Sequence, residues 1–305
     1  MKKTYEPILF FGSGPVAALS LAALAEKFTV EAVITKPAPA YYHGAIPVLE
    51  IAGRFGITVY PVNGKQELAD CLTTHRIHAR IGVLVDFGII LPQSVINYFP
   101  LGIVNSHFSL LPEWRGADPI TFAILSGQKE TGVSLMLVVE AMDEGPLLAQ
   151  STYKLPSNIT TPQLTQALIE LSNTEIAIVL PLYMQGELQP IPQNPSIRPT
   201  YSRKLTKGDG YIDWHKSAVQ LEREIRAYIE WPKSYTTLNG MSVIITEAHI
   251  RPESGLAGQV VTYRKMPQVF CGTQSLIIDR IKPAGKKEMS GEEFLRGYQD
   301  RTSSP

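Results

Sequence analysis

Pro7-Ile8-Leu9-Phe10-Phe11 is an apolar run that ends in Gly12-Ser13-Gly14, with an Ala/Leu-rich segment following over 16–27. Four successive large apolar residues leave no polar face, so a strand here is buried on both sides. Residues 16–27 read as a helix and 28–35 as a second strand. A strand–helix–strand opening predicts a parallel sheet and an α/β class. Gly12-x-Gly14-x-x-Ala17 matches the dinucleotide fingerprint, whose glycines permit a tight turn and close phosphate approach. That fingerprint also wants an acidic residue at the end of the second strand to hold a ribose hydroxyl. Here the strand ends Ile34-Thr35-Lys36, so the glycines are read as turning the chain. The alternation then continues with helices over 48–55, 68–78 and 93–98 and strands over 57–62 and 81–85. His75 and His78 fall at i, i+3 on the predicted helix 68–78, but with no third ligand they read as a solvated face.

Working outward, the next apolar run is Leu101-Gly102-Ile103-Val104-Asn105-Ser106-His107, followed by Phe108-Ser109-Leu110-Leu111-Pro112. Side chains alternate faces along a strand, so Asn105 and His107 point the same way. An amide and an imidazole at a strand's carboxyl end suit an acyl carbonyl. The amide N–H can hold a developing oxyanion, and the imidazole can donate a hydrogen bond or move a proton. A second apolar run, 133–139, ends in Met142-Asp143-Glu144-Gly145. Open α/β sheets place ligands outside the carboxyl ends of their strands, so both turns are expected in one crevice, with Asp143 orienting His107. Taken singly, each motif is weak, because an edge polar pair and an acidic turn are common for structural reasons alone.

The chain has 305 residues, 44% hydrophobic and 18% charged, enough for one large or two ordinary domains with a sizeable core. The apolar run 8–11 is too short for a signal-peptide core, and no apolar run is read as approaching a membrane span. Cys71 and Cys271 lie far apart without Cys-x-x-Cys spacing, which indicates neither a zinc site nor a disulfide framework and fits a reducing cytoplasm. Up to Pro195 there are 11 Lys and Arg against 16 Asp and Glu; from Ser196 onward there are 17 against 12. The basic second half is compatible with an anionic partner such as nucleic acid, or with ordinary solvated faces. Segment 161–182 has amphipathic helical spacing, with Leu164, Ala167, Leu168, Leu171, Ile176 and Val179 as its apolar face. Residues 185–203, holding Pro190, Pro192, Pro195 and Pro199, read as an extended linker. Beyond it, Ser217 and Gln220 form a capping box for a helix over 218–229. Strand-like runs over 241–250, 257–263 and 268–281 suggest a small barrel, and 292–298 a closing helix.

Asn105-Ser106-His107-Phe108-Ser109-Leu110-Leu111-Pro112, then Trp114-Arg115-Gly116-Ala117-Asp118-Pro119-Ile120, resembles the signature of folate-dependent formyltransferases. Glu130-Thr131-Gly132-Val133 and Met142-Asp143-Glu144-Gly145 resemble that family's next two blocks, in order. In the second half, Thr200-Tyr201-Ser202-Arg203-Lys204-Leu205, Ile212-Asp213-Trp214, Glu222-Arg223-Glu224-Ile225-Arg226-Ala227 and Pro283-Ala284-Gly285-Lys286-Lys287-Glu288-Met289 resemble the C-terminal domain of methionyl-tRNA formyltransferases. The resemblance implies a Rossmann-like parallel-sheet catalytic domain (1–184), a linker (185–203) and a C-terminal, OB-like small β-barrel that binds tRNA (204–305). It implies formyl transfer from 10-formyltetrahydrofolate to the amino group of methionyl initiator tRNA, for translation initiation, in a cytoplasmic monomer with no metal and no membrane partner. Asn105, His107 and Asp143 would be catalytic. Phe87, Gly88, Ile89, Ile90, Leu91, Ser109, Leu110, Leu111, Pro112, Val139, Glu140 and Ala141 would line the folate cleft. Lys204, Lys207, Arg223, Arg226, Lys286 and Lys287 would meet tRNA phosphates, and Arg115 would order its loop or meet an anion. The sequence departs from the family in the loop 36–47, whose only basic residues are Lys36 and His43, and at Asp86 and Glu113. A formyltransferase acting on a nucleotide-linked amino sugar is the alternative.

Overall fold

The structure, a computed structural model, describes residues 6–38, 44 and 46–298. Half of the loop 36–47, His43 included, and the expected tail 301–305 lie outside the described residues. The chain divides into two compact units. One is Met1–Pro119, Glu130–Lys154 and Thr165–Ser202; the other is Ile120–Lys129, Leu155–Leu164 and Arg203–Pro305. The units therefore do not follow chain order at two places.

The first unit is built on a seven-stranded sheet. Its elements run β1 (Ile8–Gly12), α1 (Gly14–Lys27), β2 (Val30–Thr35), α2 (Pro47–Phe55), β3 (Thr58–Pro61), α3 (Lys65–Thr74), β4 (Ile81–Val85), α4 (Gln93–Ile96) and β5 (Ile103–His107). There follow β6 (Arg115–Gly116), β7 (Glu130–Leu137), β8 (Leu147–Lys154), α6 (Thr161–Met184) and β9 (Tyr201–Ser202), while α5 (Pro119–Ser126), from Ile120 onward, and the first residues of α6 fall in the second unit. The sheet order is β3-β2-β1-β4-β5-β7-β8, parallel from β3 to β5, with β7 and β8 antiparallel. Every residue of β1 is buried, as its unbroken apolar run requires. Leu9 and Phe11 pack with Ala32, Ile34, Leu68, Leu72 and Phe99.

The turn after β1 spends its polar groups on the fold. The Ser13 amide donates to Asp86 O at 2.9 Å, its hydroxyl meets Thr35 Oγ1 at 3.2 Å, and the Lys36 amide donates to that hydroxyl at 3.0 Å. Ser13, between its two glycines, thus joins the ends of β1, β2 and β4. The helix read over 68–78 ends earlier, at Thr74. Arg76 takes a positive φ, which breaks the helical repeat, so His75 and His78 do not share a helix face. His75 stacks on Tyr60 and His78 pairs with Glu31.

Helix α6 corrects a second expectation. Its 24 residues are long and apolar enough, by length and composition, to cross a membrane. Glu170 and Glu175 interrupt the apolar run, which hid that property in the sequence. The buried stripe is Leu164, Leu168, Ile169, Ser172, Ile176, Val179 and Leu180, with Ala167 and Leu171 half-buried.

The Pro-rich stretch before Arg203 belongs to the first unit. Ile191 exchanges both backbone bonds with Leu147 at 2.7 and 2.8 Å, and β9 pairs in parallel with β6. Proline removes four amides from this stretch, and the Ile191 and Thr200 amides that remain each find a carbonyl.

In the second unit, Ser217 caps α7 (Ala218–Ala227) by accepting from the Gln220 amide at 3.1 Å. The Gln220 side chain reaches Glu224 instead of returning to Ser217, so only half of the expected box forms. A sheet follows from β10 (Ser234–Leu238), β11 (Met241–Arg251), β12 (Val260–Tyr263), β13 (Met266–Phe270), β14 (Ser275–Pro283) and β15 (Met289–Ser290), closed in sequence by α8 (Gly291–Tyr298). The order is β10-β11-β14-β13-β12, with β15 on β14, antiparallel throughout. Bulges around Glu247 bend β11, the kind of device by which a sheet curls toward a small barrel. Leu221 and Ile225 of α7 pack with Val243, Ile245, Leu276, Ile278, Ile281 and Phe294. Ser290 and Glu293 form a complete capping box for α8, at 3.2 Å and 2.7 Å.

Candidate active site

Strand β5 lies between β4 and β7, and its alternation decides what faces where. Ser106 points to one side, where its hydroxyl meets Ser172 of α6 at 2.6 Å. Asn105 and His107 therefore share the opposite face. Strand β7 runs antiparallel, with Leu137 opposite Val104 and Ser134 opposite His107. Its carboxyl end thus lies at the other end of β5 from His107, contrary to the expectation that both turns leave the same edge. Three residue steps of strand separate Val104 from His107, about 10 Å at ~3.3 Å per residue. The segment after β7 must travel back over that distance, and it does. His107 Nδ1 and Asp143 Oδ1 stand 3.8 Å apart, both side chains nearly buried.

Both partners are held by β6 and its approach. His107 Nε2 lies 2.9 Å from Trp114 O; a carbonyl only accepts, so this nitrogen carries a proton. Asp143 Oδ2 accepts from the Gly116 amide at 2.7 Å. Asp143 itself has φ +54°, a sparsely populated conformation for a non-glycine residue that its surroundings must hold in place. The Leu137 amide donates to Pro146 O at 2.9 Å, closing the turn at its base. Arg115 Nη1 donates to Glu144 Oε1 and Nη2 to Gln193 Oε1, each at 2.8 Å. The guanidinium is thus engaged with the protein's own loop. Gln193 Nε2 donates in turn to Asp143 O at 2.7 Å and Gly145 O at 3.0 Å.

Beside the pair lies a cleft of about 240 Å³ lined by Leu84, Ile89, Ile90, Leu91, Asn105, Met136, Val138, Val139, Glu140, Met142 and Asp143. Its rim is unusually apolar for a surface: Ile90, Val139 and Met142 are 59%, 38% and 57% exposed. The cleft therefore offers apolar walls with one amide, Asn105, and two carboxylates, Glu140 and Asp143, among them, the pattern of a small-molecule site. Of the other residues singled out for this cleft, Phe87 is buried against Phe11 and Ala141 is exposed. Gly88 turns the chain at φ +65°. Ser109 and Leu111 are buried and position the loop. The Ser134 hydroxyl donates to Ser109 O at 2.6 Å and accepts from the Leu111 amide at 3.0 Å, while Gln150 donates to Leu111 O at 2.9 Å. Leu110 packs where a side chain at Gly132 would fall, and Pro112 lines a separate cavity with Arg115 and Pro192. Glu113 accepts from the Ser109 hydroxyl through its carbonyl at 2.5 Å.

In the second unit Lys204, Lys207, Lys286 and Lys287 are exposed. The two arginines are already engaged: Arg226 with both oxygens of Glu222 and with Ile159 O, and Arg223 with Ser126 O. Among the described residues no cluster of three or more His, Cys, Asp or Glu could hold a metal. Cys71 and Cys271 are free and buried, and burial pushes the Cys271 thiol up to about 11, far from a nucleophile's range.

The sequence reading missed Gln193, which looked like one amide in a proline-rich linker. Its only signal was its lone position between Pro192 and Pro195 with Asn194.

Residues 24–180 match the family model described as formyl transferase, and 204–299 match formyl transferase, C-terminal domain. A methionyl-tRNA formyltransferase of Myxococcus xanthus (strain DK1622) is 36% identical over 297 residues, 96% of this chain and 95% of that one. Among solved structures, an N-formyltransferase from Helicobacter canadensis in complex with folinic acid and dTDP-3-aminofucose has a TM-score of 0.68 at 17% identity, covering 89% of this chain and 98% of that one. HypX from Aquifex aeolicus has a TM-score of 0.68 at 15% identity; the match takes in 98% of this chain but only 50% of that protein. Those two likenesses concern the fold alone, whereas the first spans nearly the whole of both chains in sequence. With both formyl transferase domains present in order and over a third of residues shared end to end, the chain belongs to the methionyl-tRNA formyltransferase family.

Proposed function

We propose that this chain transfers the formyl group of 10-formyltetrahydrofolate to the amino group of methionyl initiator tRNA, with Asn105, His107 and Asp143 as the catalytic residues. The observation that carries the proposal is that the turn after β7 brings Asp143 to the strand end that carries Asn105 and His107. His107 and Asp143 lie 3.8 Å apart, and Asn105 and Asp143 line the same apolar walls. Attack of an amine on a formyl carbon develops negative charge on the formyl oxygen and leaves a proton to be removed. The Asn105 amide supplies a donor for that oxygen. With Nε2 held on Trp114 O, Nδ1 is the His107 nitrogen that faces Asp143 and through which a proton can pass. The present separation exceeds a hydrogen bond, and catalytic contacts of this kind tighten when the site is filled. A folate's ring system suits the apolar rim at Ile90, Val139 and Met142, in keeping with the folinic acid held by the Helicobacter relative in fold. Residues 204–305 would hold the tRNA through the exposed Lys204, Lys207, Lys286 and Lys287. Arg223 and Arg226, engaged within the protein, would serve chiefly to support that unit. The amino-sugar alternative is not favoured, since the relatives similar along the whole chain are named for methionyl-tRNA.

The test is formyl transfer by the purified chain from 10-formyltetrahydrofolate to charged initiator tRNA, with a nucleotide-linked amino sugar run in parallel. Formylation of the tRNA is the expected result. Transfer to the sugar alone, or to neither acceptor, overturns the proposal.

A further inference from the structure

Gln193 lies fifty residues beyond Asp143 in the sequence, in the Pro-rich stretch, yet it bonds the backbone on both sides of Glu144. Its amide nitrogen has two hydrogens, and each goes to a carbonyl of the acidic turn: Asp143 O at 2.7 Å and Gly145 O at 3.0 Å. Its amide oxygen accepts from Arg115 Nη2 at 2.8 Å, and Arg115 Nη1 holds Glu144 at 2.8 Å. Donors and acceptor are all used, in a part-buried setting where the bonds are least diluted by water. The turn needs such a clamp. Asp143 has φ +54°, and no regular ladder bond from β7 or β8 reaches it. The segment carrying Gln193 is itself fastened on both sides, by Ile191 to Leu147 and by Thr200 to Trp114 and Arg115.

We infer that Gln193 is a positioning residue for catalysis: its amide donors hold the Asp143 turn so that the carboxylate stays facing His107. The inference rests on the proposed role of Asp143. Displacement of a catalytic group by about 1 Å costs up to ~10²-fold in rate while leaving substrates able to bind. Gln193→Glu is the sharpest variant, since it removes both donors toward the turn and keeps an acceptor for Arg115. Gln193→Met removes donors and acceptor together.

The experiment measures kcat and KM for both substrates in wild type, Gln193→Glu, Gln193→Met, Asp143→Asn and the double variant Gln193→Glu/Asp143→Asn, with thermal unfolding of each. The expected result is a fall in kcat of ~10- to ~10²-fold for both Gln193 variants, with KM for folate and tRNA within about threefold of wild type. The double variant is expected to be no slower than Asp143→Asn alone, because a residue acting through Asp143 has nothing left to position. A folded Gln193→Glu with unchanged kcat, or with raised KM at constant kcat, overturns the inference. So do additive losses in the double variant, and so does failure of both single variants to fold, which would make Gln193 a stability residue. An Asp143→Asn variant that keeps its full rate sinks the proposed function instead, whatever Gln193 does.

Discussion

The two ring nitrogens of His107 are not equivalent, since Nε2 is tied to Trp114 O and Nδ1 faces Asp143. His107→Ala removes both connections, and Asn105→Ala removes the only side-chain amide among the described residues that line the cleft. Each is expected to lower kcat by ~10²–10³-fold, the usual cost of one oxyanion-stabilising group, with the fold intact by circular dichroism. Near-normal turnover by either variant would remove that residue from the catalytic set. These residues were legible because polar groups stand out at the end of an otherwise apolar strand. The meeting of His107 with Asp143 was also anticipated, but for an incomplete reason. The antiparallel direction of β7 is invisible in its own composition, and only the length of the returning segment 138–146 allows the contact.

At the scale of elements, the acidic turn is sensitive to a single methyl group. A Cβ on Gly145 would fall 1.7 Å from Leu137 O, at the base of the turn. Gly145→Ala must push the turn off that carbonyl, so activity is expected to fall at least ~10-fold while most of the sheet persists. Kinetics alongside thermal unfolding would separate the two effects, and full activity would show that the turn has slack. In the second unit, the 3₁₀ turn Lys207–Gly210 is capped by Thr206 and Asp209, whose carboxylate also meets Arg203. Those bonds hold the Asp209 carboxyl well below its ordinary value, the Arg203 hydrogen bond being the largest cause. A group whose folded value is depressed stabilises fully above its unfolded value near ~4 and loses that effect as pH falls further. Asp209→Asn is thus expected to cost on the order of 1 kcal/mol at pH 7. The gap between variant and wild type in chemical denaturation should narrow below about pH 4, and a pH-independent gap would argue against the ionic contribution. Helices and buried strands were readable from their apolar periodicity. Strand β10, Ser234–Leu238, was not, because its Ser-Tyr-Thr-Thr run lacks that pattern, and β6 and β9 are too short to leave any local trace.

For the whole molecule, charge is the property that sequence conveys best, because it survives without knowledge of packing. The resemblance of the C-terminal blocks implied six phosphate contacts within the basic half of the chain, and the structure sorts them into four exposed lysines and two arginines bonded within the protein. Lys286→Ala/Lys287→Ala is expected to weaken tRNA binding and to flatten the slope of log affinity against log salt by up to ~2, about one per phosphate contact. A salt titration of the wild type and double variant decides it, and identical slopes would leave these lysines as ordinary solvated charges. What the sequence could not convey was the allegiance of segments. Residues 120–129 and 155–164 join the second unit, and the stretch up to Ser202 joins the first, because contacts between positions as far apart as Arg115 and Tyr201 have no local signature.

That allegiance has a consequence in time. A chain emerges from the ribosome amino end first, so Asn105, His107 and Asp143 are synthesised well before Gln193 and the Tyr201–Ser202 strand that secure their surroundings. At ~5–20 residues per second, the interval between Asp143 and Ser202 is on the order of three to twelve seconds. During it, a nascent chain holds all three proposed catalytic side chains and lacks the segment whose Gln193 bonds the Asp143 turn. On the role inferred for Gln193, catalytic competence arrives late in synthesis, with the last segment of the first unit rather than with the strands that carry the chemistry.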